Sequence, residues 1–330
     1  MRPKLGPMNL AAPLRRAFRI AVLAMSGAAP FSHAEPPADC PPAATELTPE
    51  QVSVGMSQAR DRGFLWRITK DGHDSYLYGT VHVAKLEWMF PGPRIVEALE
   101  ASDTIALELD LLDPQTRQEL VDAMTEPPRF SLPPQLVERV QKQMTAECIA
   151  PQAWASLGPE LHIASLTAIS ARRDGLDPAY SIDLMLSGYG HRAAKRVLSL
   201  ETAGGQLKAL QLPTREATLA WVESGLDDLE SGRSRPLLNR ISGIWAAGDL
   251  GELARYDEWC ECRKTATDRE AMERLLDDRN PGLADRIDDL HASGRHVFAA
   301  VGSLHMVGPV GLPALMMKRG YKVEVNVFER

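Results

Sequence analysis

The sequence contains none of the short signatures of the commonest catalytic sites. No Walker-type phosphate loop, Gly-x-Ser-x-Gly elbow, His-Glu-x-x-His pair or Gly-x-Gly-x-x-Gly fingerprint occurs in its 330 residues. That excludes P-loop phosphoryl transfer, serine-elbow hydrolysis, ordinary zincin chemistry and Rossmann-type dinucleotide binding. Nothing repeats at solenoid length and no segment is of low complexity. Beyond residue 34 no apolar stretch is long enough to span a membrane, and no block of basic residues occurs. Lys and Arg number 37 against 44 Asp and Glu, a net charge of −7. Five of the 37 (Arg2, Lys4, Arg15, Arg16 and Arg19) fall in the acid-free first 34 residues, so the rest of the chain stands at about −12. Such a balance argues against nucleic acid and anionic membrane surfaces as partners.

The first 34 residues read as a secretory signal. A basic start is followed by a short apolar stretch over 20–29 and by Ser32-His33-Ala34, small residues at the two positions a signal peptidase reads. Cleavage is expected after Ala34, giving a periplasmic or secreted protein. Cys40 follows Pro-Ala-Asp, which lacks the leucine of a lipidation site. Residues 35–60 form a Pro/Ala-rich lead-in with a short helix near 49–60, and residues 61–330 form the folded domain. Cys40, Cys148, Cys260 and Cys262 allow three pairings in an oxidising compartment. Cys260-Glu-Cys262 has the wrong spacing for a zinc knuckle. Long-range pairing of both with Cys40 and Cys148 is favoured, tying the lead-in to the body.

Two stretches organise the domain: Tyr76-Leu77-Tyr78-Gly79-Thr80-Val81-His82 and Phe298-Ala299-Ala300-Val301-Gly302-Ser303-Leu304-His305. Each is an apolar run ending in Gly-x-x-His, which predicts a buried strand whose exit turn carries an imidazole. The glycine permits positive φ or a crowded backbone. The histidine falls beyond the strand's carboxyl end, where open α/β sheets place their ligands. Each run is followed by a proline-containing loop, a helical stretch and another strand, predicting a βαβ unit at either end of the domain. Residues 63–69 and 75–79 around Lys70-Asp71-Gly72-His73-Asp74 predict a hairpin with His73 solvated in its turn.

The strand 104–109 runs into Glu108-Leu109-Asp110, and a buried acid needs a partner. Alternation places Glu108 and Asp110 on one face. From 114 to about 292 the spacing is mainly helical, including one helix over 152–173, another over 252–260 and another over 268–277. One island, Arg196-Val197-Leu198-Ser199-Leu200-Glu201-Thr202, reads as a strand ending in an acid. The expected fold is α/β: a central mixed sheet of about five to seven strands, built from both chain ends, with a large helical insertion.

Taken in order, these residues resemble the TraB/PrgY/GumN family, which includes the Tiki ectodomains. The resemblance runs from about residue 64 to 327. It is carried by Tyr78-Gly79-Thr80-Val81-His82, Leu107-Glu108-Leu109-Asp110, Leu200-Glu201-Thr202 with Gln206, Arg279-Asn280, Val301-Gly302-Ser303-Leu304-His305 with Gly308, and Gly320-Tyr321-Lys322-Val323. It implies a metal-dependent hydrolase, with peptidases among the candidates, within a superfamily that also holds erythromycin esterases and ChaN-like haem-binding proteins. Two imidazoles and a carboxylate form the ligand set of many hydrolytic metal sites, leaving a position open for water. His82, Glu108 and His305 are accordingly assigned to a divalent ion (Mn, Co or Zn). Glu201 is assigned as general base or as a carboxylate supporting the ligands from behind, and Arg279 as the group that steadies an oxyanion or orients a carboxylate. The substrate would be a peptide or small molecule, with an envelope protein as a possible partner. The alternative is a periplasmic protein that binds haem, a metal or a peptide in the same pocket without turnover. A third reading is a decayed site in a structural partner of an envelope assembly. His162, His191, His291 and His296 are expected on helix faces or the surface. Glu108→Gln is expected to stabilise the metal-free protein slightly, by removing repulsion from Glu201.

Overall fold

The computed structural model describes residues 40–328, Glu261 and Lys264 excepted. The expected signal and its cleavage point lie outside the described residues. The chain enters its sheet through an antiparallel hairpin of β1 (Phe64–Lys70) and β2 (His73–Thr80), with Lys70 facing His73. Asp71 and Gly72 have φ of 52° and 83°. Positive φ at both central residues is what a two-residue turn matched to the strand twist requires. His73 is half-buried rather than free in the turn: it opens β2, and its ring stacks on His291 with centroids 3.7 Å apart.

The sheet has six strands in the order β4-β3-β5-β2-β1-β6, with β3 Thr104–Leu107, β4 Arg196–Ser199, β5 Val297–Gly302 and β6 Lys322–Asn326. Strands β4, β3, β5 and β2 are mutually parallel, whereas β1 runs antiparallel to both β2 and β6. It is therefore the mixed α/β sheet the sequence predicts, built from both chain ends. Strand β5 inserts between β2 and β3, so the two Gly-x-x-His units lie side by side, with Thr80 opposite Gly302. All six residues of β5 are buried, as the apolar run requires of a central strand. Phe298, Leu77, Ile105 and Leu107 are fully buried in the main core, each contributing roughly 1.5–3 kcal/mol of burial free energy.

Helices flank the sheet and fill the insertion. In chain order they include α1 (Pro49–Ser57), α2 (Pro93–Ala101), α3 (Pro114–Thr125), α4 (Pro134–Ala146), α5 (Pro159–Ile169), α6 (Ile182–Arg192), α7 (Ala203–Leu210), α8 (Arg215–Glu230), α9 (Ser234–Ala247), α10 (Leu250–Leu253), α11 (Tyr256–Trp259), α12 (Ala266–Met272), α13 (Asn280–Ala292) and α14 (Leu312–Lys318). The insertion has its own core, in which Leu136, Val140, Ile163, Leu166, Val222 and Leu226 meet. Three expected helices come out shorter. The stretch 152–173 breaks at Gly158-Pro159, where the proline opens α5. The stretch 252–260 divides into α10 and α11 around Ala254-Arg255, and 268–277 ends as a π turn over Glu273–Asp277.

The disulfides are Cys40–Cys148 and Cys260–Cys262. The first ties the lead-in to the insertion, but through Cys40 and Cys148 themselves rather than through the expected pairing of each with Cys260 or Cys262. The second corrects the long-range pairing of Cys260 and Cys262: the turn after α11 brings their Cα atoms to 5.1 Å, inside disulfide range. Among the described residues no helix is long and apolar enough to cross a membrane. The disulfides and that observation are compatible with a place outside the cytoplasm.

Candidate active site

Because β4, β3, β5 and β2 are parallel, their carboxyl ends line one edge of the sheet in that order. Glu201 follows β4, Glu108 follows β3, His305 follows β5 and His82 follows β2. The β3–β4 ladder continues one step past the strands, Leu200 N donating to Leu107 O and Glu201 N to Glu108 O. This holds the two acids as neighbours.

Gly302 is the point on which the site converges. A methyl group added to it would stand 3.2 Å from Glu108 Oε1, 3.4 Å from His82 Nε2 and 3.7 Å from His305 Cδ2. The two histidines and Glu108 thus share one pocket, as the paired motifs require. Neither Gly79 nor Gly302 has positive φ. Crowding explains both: a Cβ at Gly79 would lie 3.0 Å from Ser303 Oγ.

Each imidazole is fixed through its Nδ1. His82 Nδ1 lies 2.9 Å from Asp183 Oδ2, and a carboxylate only accepts, so Nδ1 carries the proton. The other oxygen of Asp183 accepts from Thr80 Oγ1 at 2.8 Å. Asp183 sits in the first turn of α6, where a helix dipole favours negative charge. Ile182 N donates to Val81 O at 3.1 Å, pinning that helix start to the His82 turn. His305 Nδ1 lies 2.7 Å from Asn280 Oδ1, and its Nε2 lies 3.3 Å from Arg279 Nη1. Arginine can only donate, so Nε2 accepts and Nδ1 donates to Asn280.

Arg279 links the acids. Its Nε and Nη2 donate to the two oxygens of Glu201 at 2.9 and 2.6 Å, and Nη2 also donates to Glu108 Oε2 at 2.5 Å. Its Nη1 donates to Leu275 O at 2.8 Å, which anchors the guanidinium from behind. Glu108 receives two further donors, Gly302 N at 2.7 Å on Oε1 and Gln206 Nε2 at 3.0 Å on Oε2. Glu108 is buried, with 6% of its side chain exposed, whereas 66% of the His82 side chain is exposed.

The charges follow from these contacts. Burial pushes Glu108 up, but His305, His82, Arg279 and the Gly302 N–H together hold it down at about 2. Burial lowers His305 to about 4 against the opposing pull of Glu108. A neutral His305 leaves Arg279 and His82 as the cations that stabilise Glu108 near neutral pH. Asp183 is the main cause of the raised pKa of His82. Three carboxylates (Glu108, Glu201, Asp183) thus face Arg279 and a readily protonated His82, and the site keeps a surplus of negative charge.

Donors of the right kind for a divalent cation are present: two imidazoles whose Nδ1 atoms are anchored by oxygens, and an ionised carboxylate. Their spacing is another matter. Among the described residues no three His, Cys, Asp or Glu side chains stand close enough together to hold one ion. The guanidinium of Arg279 stands on Glu108, on Glu201 and against His305 Nε2 instead.

Asp110 does not share the pocket. The strand ends at Leu107, so alternation stops, and Asp110 accepts from Ser187 Oγ at 2.5 Å and pairs with His191 Nε2 at 2.8 Å. His291, expected at a helix face, is fully buried. His162 is half-buried on α5, with its Nδ1 3.2 Å from Gly158 O, and His296 Nδ1 lies 3.0 Å from Asp74 O. Asp183 and the role of Asn280 escape a reading of the sequence. Ser181-Ile182-Asp183 carries only the signal of a capped helix start, and Asn280 precedes a proline that announces another. Residues 64–325 match the family model described as the TraB/PrgY/gumN family. No curated protein and no solved structure matches the chain.

Proposed function

The chain belongs to the TraB/PrgY/gumN family, and from that membership and the geometry of its site we propose that it is an exported, metal-dependent hydrolase acting on a peptide or small molecule. The observation that supports this reading is the convergence of His82, Glu108 and His305 on Gly302 at the ends of adjacent parallel strands. His82 Nε2, His305 Nε2 and Glu108 would hold the ion, whose chemistry there is to make bound water nucleophilic near neutral pH. Asp183 and Asn280 orient the two rings. Glu201 is the second carboxylate; in the arrangement described it anchors Arg279 with both oxygens, and it is free to take a proton only when that pair opens. The five N–H groups of Arg279 are engaged by Glu201, Glu108, Leu275 O and His305, so it would donate to a developing oxyanion only when some of those contacts open.

The test is hydrolysis of a panel of peptides and esters by the purified protein. Activity should vanish with a chelator, return with Mn²⁺, Co²⁺ or Zn²⁺, and be absent in His82→Ala and His305→Ala. Activity indifferent to chelator would overturn the metal dependence. No turnover together with a Soret band on haem titration would favour the binding-protein alternative.

A further inference from the structure

We infer that Arg279 is the resident cation of this site and that a divalent ion binds only by displacing it, so that Arg279 sets the site's metal affinity. The inference rests on the metal-dependent reading above and goes beyond it by naming what opposes the ion.

The contacts carry the argument. An ion held by His82, Glu108 and His305 needs lone pairs on Glu108 and on His305 Nε2. Arg279 Nη2 takes Glu108 Oε2 at 2.5 Å and Arg279 Nη1 takes His305 Nε2 at 3.3 Å. Glu108 Oε1 is engaged by Gly302 N. The bidentate contact with Glu201 and the bond to Leu275 O hold the guanidinium in that position from two further sides. Guanidinium and metal cannot both sit on those acceptors, for reasons of space and of charge. The missing three-ligand geometry follows: the ligands are parted around a cation that belongs to the chain. With Arg279 withdrawn, the buried Glu108 and the half-buried Glu201 lose the cation they share and only His82 remains beside Glu108, which favours an incoming cation. Arg279 therefore keeps the free protein stable, and the open, metal-competent form is a minority population. A minority of a tenth or less raises the apparent dissociation constant about tenfold or more.

The experiment is calorimetric titration of the wild type, Arg279→Ala and Arg279→Lys with Co²⁺ and with Zn²⁺, folding being checked by circular dichroism. Arg279→Ala should bind at least about tenfold more tightly than wild type. Guanidinium chloride at tens of millimolar should cancel that gain by refilling the vacated place, while leaving wild type unchanged. Arg279→Lys keeps the charge without the bidentate fork, so it should fall between the two. Should Arg279→Ala fold only when Co²⁺ is added, the inference is supported, and the intermediate affinity of Arg279→Lys measures it. Equal or weaker binding by the folded variants, with wild type binding normally, would overturn the inference and leave the metal site standing. If neither wild type nor variants take up either ion, the metal-dependent reading fails, and this inference with it.

Discussion

Asp183 receives the Nδ1 proton of His82 at 2.9 Å across 101 positions of sequence, from a helix whose first N–H is bonded into the same turn. Packing does not hold the His82 ring, which is largely exposed, so this carboxylate alone fixes which nitrogen faces Gly302. Asp183→Asn should leave the fold intact and lower affinity for Co²⁺ or Zn²⁺ about 10–100-fold. Calorimetry of wild type and variant checks it; equal affinities would mean that the ring needs no such anchor.

Glu108→Gln carries the opposite sign from the one expected of an acid gathered beside Glu201 without a cation. Repulsion from Glu201 would make the glutamine variant the more stable, but Arg279 lies between the acids and turns Glu108 into a partner. The substitution removes a charge-assisted bond in a buried setting, worth about 1–3 kcal/mol. Denaturant unfolding in the presence of a chelator should show a loss of about that size, and a gain would restore the repulsive picture.

His291 makes the protein sensitive to acid. Ser75 Oγ accepts from Val297 N, so its proton goes to His291 Nδ1 at 2.9 Å, while His291 Nε2 donates to Lys70 O at 3.0 Å. A proton on Nδ1 would face the hydroxyl's own, and burial lowers the pKa of His291 below its ordinary value. A histidine whose folded pKa is depressed contributes stability above its unfolded pKa of about 6.5 and loses it as pH falls through the folded value. Between pH 7 and 5 wild type should therefore lose more stability than His291→Gln, by up to about 1.4 kcal/mol per pH unit. Parallel curves would contradict this.

The Cys40–Cys148 disulfide closes a loop of sequence separation 108. Replacing both cysteines with serine should cost about 2–5 kcal/mol, read as a lower denaturation midpoint. Peptide mapping without reductant should recover Cys40 linked to Cys148, and recovery of Cys40 joined to Cys260 or Cys262 would refute the pairing.

The strand-end residues were legible because each lies within a few positions of the run that positions it. Gly79 and His82, Gly302 and His305, and the acids Glu108 and Glu201 are local features of four strands, and parallel pairing gathers them. What partners them was not legible. Asp183 and Asn280 come from helix starts far along the chain, where an acid or an amide is already accounted for by the helix start itself. The same limit explains Asp110, whose place depended on the strand stopping at Leu107 rather than on alternation. It also explains Cys260 and Cys262, whose pairing depended on a turn between two short helices.

The central claim is that His82, Glu108 and His305 form one cation site. It is tested most directly by titrating the purified protein with Co²⁺ while following visible ligand-field absorption, in wild type, His82→Ala, His305→Ala and Glu108→Gln. The account predicts one equivalent of ion in wild type, with a spectrum that each substitution abolishes or shifts. An unchanged spectrum and stoichiometry in all three variants would place the ion elsewhere and contradict the account.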